Sequence, residues 1–104
     1  MNRREILEKA DEFISASRDE IYGDPARNHE RVAEMWSAIL GIDVKAEEVA
    51  LCMIAVKMSR LCQTPQHEDS WVDIAGYAAL GGEIADEFFQ AVDQMKEEQY
   101  DRQK

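Results

Sequence analysis

Eight consecutive residues, Val49 to Val56 (VALCMIAV), constrain this chain more than any other stretch. At helical spacing they are apolar on every side. A helix that is apolar all round is enclosed by other helices or sits at a subunit interface. A second run, WVDIAGYAALGG from Trp71 to Gly82, is nearly as apolar and carries one charge, Asp73. Two prolines and five glycines in 104 residues leave little turn chemistry for an all-β fold. The sequence therefore predicts an all-α fold, a four- to five-helix bundle in one domain over residues 1–104.

The flanking segments supply amphipathic partners. The first predicted helix runs from about Asn2 to Glu20, with Ile6, Ala10, Phe13, Ser17 and Ile21 on one face and Leu7 and Ile14 beside them. Gly23 is placed to end it in a left-handed conformation. Asp24-Pro25 then reads as N-cap and first residue of the second helix, which runs to about Leu40 and buries Val32, Trp36, Ile39 and Leu40 before Gly41. The third begins around Asp43 to Lys45 and ends near Gln63, before Thr64-Pro65. The fourth begins near Asp69; Gly81-Gly82 are expected to kink or break it, and residues 97–104 to fray. Met35, Met53, Met58 and Met95 fall at core spacings.

Charge and cysteines narrow the function classes. A net charge of −10 disfavours direct binding to nucleic acid or to an anionic membrane, which need clustered Lys and Arg. No run approaches the roughly 18 apolar residues of a membrane span, and the start has no signal-peptide core. Cys52 and Cys62 on one helix would stand about 15 Å apart, too far to bridge. Reduced thiols fit the cytoplasm, that of a host cell if the chain is phage-encoded, with Cys52 expected as an inert buried thiol.

Polar residues inside or beside apolar runs are the candidates for chemistry. Lys57 and Arg60, three apart, share one face at the end of the third helix, while Asp73 opens the fourth; a salt-bridged corner is the simplest arrangement. Ser70 and Asp73 also read as a capping box. Functionally, Asp69, Asp73 and Tyr77 form an i, i+4, i+8 stripe on which two carboxylates could hold Mg²⁺, as catalytic and metal-binding residues. Lys57 and Arg60 would then meet the phosphates of the same ligand. In the turn IYGDPARNHERV, Gly23, Asp24 and Pro25 are explained as punctuation, whereas Tyr22, Asn28 and His29 are not. Tyr22 or Tyr77 would stack on a base, Asn28 would read its edge, and His29 would either donate a proton near neutral pH or be merely a residue at the helix start. His67 reads as a solvent-exposed loop residue.

The segments EIYGDPARNHERVAEMWSAILGI, AEEVALCMIAVKMSRL and DSWVDIAGYAAL resemble a family of short phage and prophage proteins. The resemblance covers Ile6 to Asp86, and its motifs are Y-G-D-P with N-H, K-x-x-R-L, and D-S-W-x-D-x-x-G-Y. A more distant resemblance is to the MazG-like and dimeric dUTPase-like all-α nucleoside triphosphate pyrophosphohydrolases. Those oligomerise, bind Mg²⁺ through an E-x-x-E and an E-x-x-D pair, and cleave between the α and β phosphates. That likeness would place Asp73 at the second pair's aspartate. The chain departs from it by having Ser70 and Asp73, with Asp69 alongside, at the second pair, and Lys57 and Arg60 in place of the first.

Three functions follow as expectations. The first is a Mg²⁺-dependent nucleotide pyrophosphohydrolase with Asp69 and Asp73 on metal. The second is a non-catalytic binder that sequesters a nucleotide or nucleotide-derived defence signal. The third is an acidic anti-defence inhibitor, of anti-CRISPR type, that covers a basic host protein. The apolar third helix adds a homodimer or larger assembly.

Overall fold

The computed structural model describes residues 1–15 and 23–103. Among them are four helices and no strand: α1 (Arg3–Ile14), α2 (Pro25–Leu40), α3 (Ala46–Gln63) and α4 (Glu68–Gln103). Helix α4 is the spine. It packs most extensively against α3, then α1, while α2 rests chiefly on α3. Among the described residues no helix is long and apolar enough to cross a membrane.

Local chemistry explains most boundaries. Asn2 caps α1 by accepting the Glu5 N–H at 2.9 Å. Asp24 caps α2 by accepting from the Ala26 N–H at 3.1 Å, with Pro25 in the first position. Gly41 ends α2 at φ 71°, its N–H reaching the Ser37 carbonyl at 2.9 Å. The Ser37 hydroxyl donates to the Ala33 carbonyl at 2.7 Å and accepts the Val44 N–H at 2.8 Å, which ties the α2–α3 connection down. At the start of α3 the Glu48 carboxylate accepts the Lys45 N–H at 3.0 Å.

The core is thin. Its buried apolar residues are Ala10, Ala33, Val49, Ala50, Leu61, Val72, Leu80 and Ile84. Three of these are alanines, so helix backbones must approach closely to enclose them. Two glycines of α4 permit this. A Cβ at Gly76 would stand 2.8 Å from the Phe13 ring of α1, and one at Gly81 would stand 3.0 Å from the Ala50 Cβ of α3.

Several sequence expectations are corrected. Helix α1 ends at Ile14, because Ser15 is extended (φ −76°, ψ 159°); the expected continuation to Glu20, with Ser17 and Ile21, lies outside the described residues. Gly23 does adopt a left-handed φ of 79°, but ahead of the α2 cap rather than at the end of α1. Ile39 and Leu40 are exposed at 79% and 61%; α2 instead buries His29 and Ala33. Met35, Met58 and Met95 are exposed, and Cys52 and Cys62 are exposed free thiols. The double glycine does not break α4, which continues through most of the expected fray to Gln103. The outer side of α3 is not enclosed: Leu51, Val56 and Met58 face outward.

Candidate functional site

The start of α2, the end of α1 and the middle of α4 together wall a cavity of about 230 Å³. Its lining is Phe13 from α1, Gly23 with Pro25, Asn28 and His29 from the turn into α2, and Tyr77 and Leu80 from α4. Asn28, His29 and Tyr77 are therefore brought together, although 48 positions separate His29 from Tyr77 in the chain (77 − 29). Tyr22, expected beside them, lies outside the described residues.

Aromatic geometry fixes the walls. The Phe13 and Tyr77 rings meet edge to face, with centroids 5.7 Å apart and planes at 76°. The His29 ring lies 5.9 Å from that of Tyr77 at 57°. Gly76 is why Phe13 comes so close, since any side chain there would displace its ring. The volume is below the roughly 300–1,000 Å³ of pockets that take a whole drug-sized ligand. It suits one ring of a molecule whose remainder lies outside.

His29 is the chemically distinctive residue. It is 6% exposed. Its Nδ1 lies 2.9 Å from the Pro25 carbonyl oxygen. A carbonyl only accepts, so Nδ1 carries the hydrogen and donates. In the neutral ring, Nε2 is consequently a bare acceptor, and it is buried with no hydrogen-bond partner among the described residues. Leaving such an atom unsatisfied costs about 1–3 kcal/mol.

A cation stands at the rim. A Cβ built on Gly23 would lie 4.0 Å from an Arg31 guanidinium nitrogen, which places that group beside the cavity-lining turn. Arg31 follows Asn28 by three residues, on the same side of α2. Asn28 is exposed, so its amide is available at the rim. The sequence pattern places Phe13 only on the apolar face of the first helix and gives Arg31 no role at the site. The i, i+3 spacing of Asn28 and Arg31 is the signal that would have found the arginine.

The other candidates sit elsewhere. Lys57 Nζ is 3.1 Å from Asp73 Oδ2, so α3 and α4 meet in the expected salt-bridged corner, with side chains 17% and 25% exposed. Arg60 is exposed and, among the described residues, joins no ion pair. None of Lys57, Arg60, Asp69 or Asp73 lines the cavity. Asp69 is exposed one turn before Asp73, and next to it Glu68 pairs with the Met1 ammonium at 2.6 Å. That ammonium holds the Glu68 carboxyl below its ordinary range. The capping box is corrected as well. Ser70 lies inside the first turn of α4, fully buried, 2.7 Å from His67 Nδ1, and Asp73 turns to Lys57 instead. His67 is thus a half-buried partner of Ser70 rather than a free loop residue.

The donors do not fit a multi-ion Mg²⁺ centre. Among the described residues, no three His, Cys, Asp or Glu side chains converge in a way that could hold a metal. Asp73, which the likeness to pyrophosphohydrolases would put on metal, has its Oδ2 on an ammonium.

Fold and site together define an all-helical domain with a small aromatic-walled cavity at the junction of α1, α2 and α4. The chain belongs to the family described as a domain of unknown function, DUF6378, matched over residues 5–85. The match ends just past Ile84, the last buried position of α4. The chain is similar to the Gene 55 protein of Mycobacterium phage L5, 43% identical over 76 residues, which is 72% of this chain and 49% of that protein. It is also similar to the Gene 55 protein of Mycobacterium phage D29, 37% identical over 82 residues, which is 79% of this chain and 54% of that one. It thus spans about half the length of these relatives. The expected phage-type family is borne out. No solved structure matches the chain.

Proposed function

We propose that this domain is a phage-type binder of a nucleotide or nucleotide-derived small molecule. One ring of the ligand enters the cavity between Phe13, His29 and Tyr77, and its phosphate faces Arg31. The observation that carries this reading is His29, a residue in the wall of a ring-sized cavity whose Nε2 is buried and, among the described residues, unpartnered. Nucleobases present N–H donors in the ring plane, which a bare imidazole nitrogen accepts. Phe13 and Tyr77 offer apolar faces and edges to the same ring. Arg31 supplies a planar fork suited to phosphate. Binding is favoured over hydrolysis because Asp73 is engaged by Lys57. The mycobacteriophage relatives support a role during phage infection.

The test is retention. The protein is incubated with a pool of NTPs, dNTPs and cyclic oligonucleotides with Mg²⁺, then filtered. Filtrate and heat-released material are chromatographed separately. The expected result is an unchanged nucleotide that appears only after denaturation, with retention reduced at least about tenfold in His29→Phe, which keeps an aromatic ring but removes both ring nitrogens. Arg31→Ala is expected to weaken retention and its salt dependence together. A new monophosphate in the filtrate would replace binding by hydrolysis. An intact, wholly free pool would refute the small-molecule reading.

A further inference from the structure

We propose that a second copy of this chain covers the outer face of α3 and the groove between α3 and α4. The inference goes beyond the ligand site and does not depend on it.

The exposed side of α3 is apolar where a solvent-facing helix would be charged. Leu51, Val56 and Met58 are 63%, 54% and 56% exposed, with Cys52 and Ala55 exposed among them. Between Val49 and Val56 there is no charged residue, in a chain that is 33% charged overall. Beside this face runs a groove of about 320 Å³ whose floor is Ala50, Ala78, Gly81 and Gly82 and whose rim includes Leu51. Small floor residues and a protruding leucine on the rim are self-complementary. An isologous two-fold contact seats each Leu51 over the floor of the other copy.

The exposed area is of the size that a second copy would cover. The chain exposes 7933 Å². A compact monomer of 11.9 kDa exposes about 5,900 Å². The excess of about 2,000 Å² falls within the roughly 1,000–2,500 Å² that each partner of an obligate dimer buries. Part of it belongs to the projecting end of α4, where Phe88, Phe89 and Met95 are exposed. Charge leaves this face open to a like partner. Two chains of net charge −10 repel wherever their acidic surfaces meet, and this uncharged run of α3 lets them approach.

Sedimentation equilibrium of the full chain across the micromolar range decides the matter. The wild type is expected at twice 11.9 kDa. Leu51→Glu is expected to weaken self-association at least about tenfold, because each interface would bury an unpaired carboxylate. Residue 51 is mostly exposed in the single chain, so circular dichroism should show helicity retained. Phe89→Glu, on the far half of α4, should leave the dimer intact. A wild type that stays monomeric throughout overturns the proposal. So does a dimer that Phe89→Glu dissociates and Leu51→Glu does not.

Discussion

Helix α4 is held from two sides, and the two sides are incomplete in opposite ways. Toward α1 and α2, Gly76 admits the Phe13 ring, and the junction buries a polar atom, His29 Nε2, without a partner among the described residues. Toward α3, Gly81 admits Ala50, and the neighbouring surface leaves apolar side chains in water. A buried acceptor is satisfied by a small donor-bearing group that fits inside. Exposed leucine, valine and methionine are satisfied only by a surface large enough to cover them. Among the described residues Tyr77 lines both spaces, which puts one side chain in contact with each.

The α1 side breaks most easily at Gly76. Alanine there would place Cβ 2.8 Å from the Phe13 ring and 3.7 Å from Ile14 Cγ2. The ring is held edge-on by Tyr77, so it cannot rotate away cheaply. Overpacking of about 1–3 kcal/mol is set against a helix-propensity gain of about 1 kcal/mol; a contact this short belongs at the upper end, for a net loss of up to about 2 kcal/mol by urea titration. Nucleotide retention should fall with it, because the displaced ring is a wall of the cavity. Adding Phe13→Leu should recover the stability but not the retention. A fully stable, fully binding Gly76→Ala protein would show that the close approach of α1 does not shape the site.

A somewhat smaller effect separates the corner of α3 and α4 from metal chemistry. The Lys57–Asp73 pair is neither exposed nor fully buried. Asp73→Asn should therefore cost about 1 kcal/mol, between the near-zero worth of surface pairs and the larger loss at buried ones. The loss should be equal with and without Mg²⁺, and should shrink when Lys57 is already methionine. If instead Mg²⁺ stabilises the wild type and not Asp73→Asn, the carboxylate serves a cation, and the hydrolase reading regains its ground.

The sequence makes the bounds of α2 and α3 legible because their ends carry stereochemical signals: Asp24-Pro25, Gly41 and Thr64-Pro65. The Lys57–Asp73 corner is legible because two lone charges in apolar runs, joined by a short loop, need one another. Burial is less legible. Periodicity reports which residues share a face, not whether anything covers it, so Ile39, Leu40 and Cys52 are misplaced in the core. The site is half legible. Asn28 and His29 stand out for lacking a structural duty, while Phe13 joins them only through Gly76, and no one-dimensional pattern reports that contact. Ser70 misleads because its capping-box spacing is real, but α4 starts two residues earlier, at Glu68.

The smallest expected effect gives the sharpest reading of the α3 side. A Cβ at Gly82 would meet no atom within 4 Å in the single chain, and the backbone there is helical. Alanine at this position should stabilise the monomer by about 0.5–1 kcal/mol, by removing conformational freedom from the unfolded chain. Yet Gly82 also forms part of the groove floor on which a second copy would rest. If that copy is present, the added methyl group occupies space meant for its side chain, and self-association should weaken while the isolated fold strengthens. Thermal unfolding at low and high protein concentration separates the two: Gly82→Ala should melt above the wild type in dilute solution, and that advantage should narrow or reverse as concentration rises. An advantage independent of concentration would mean that the groove floor faces water and that the apolar face of α3 closes against something other than this chain.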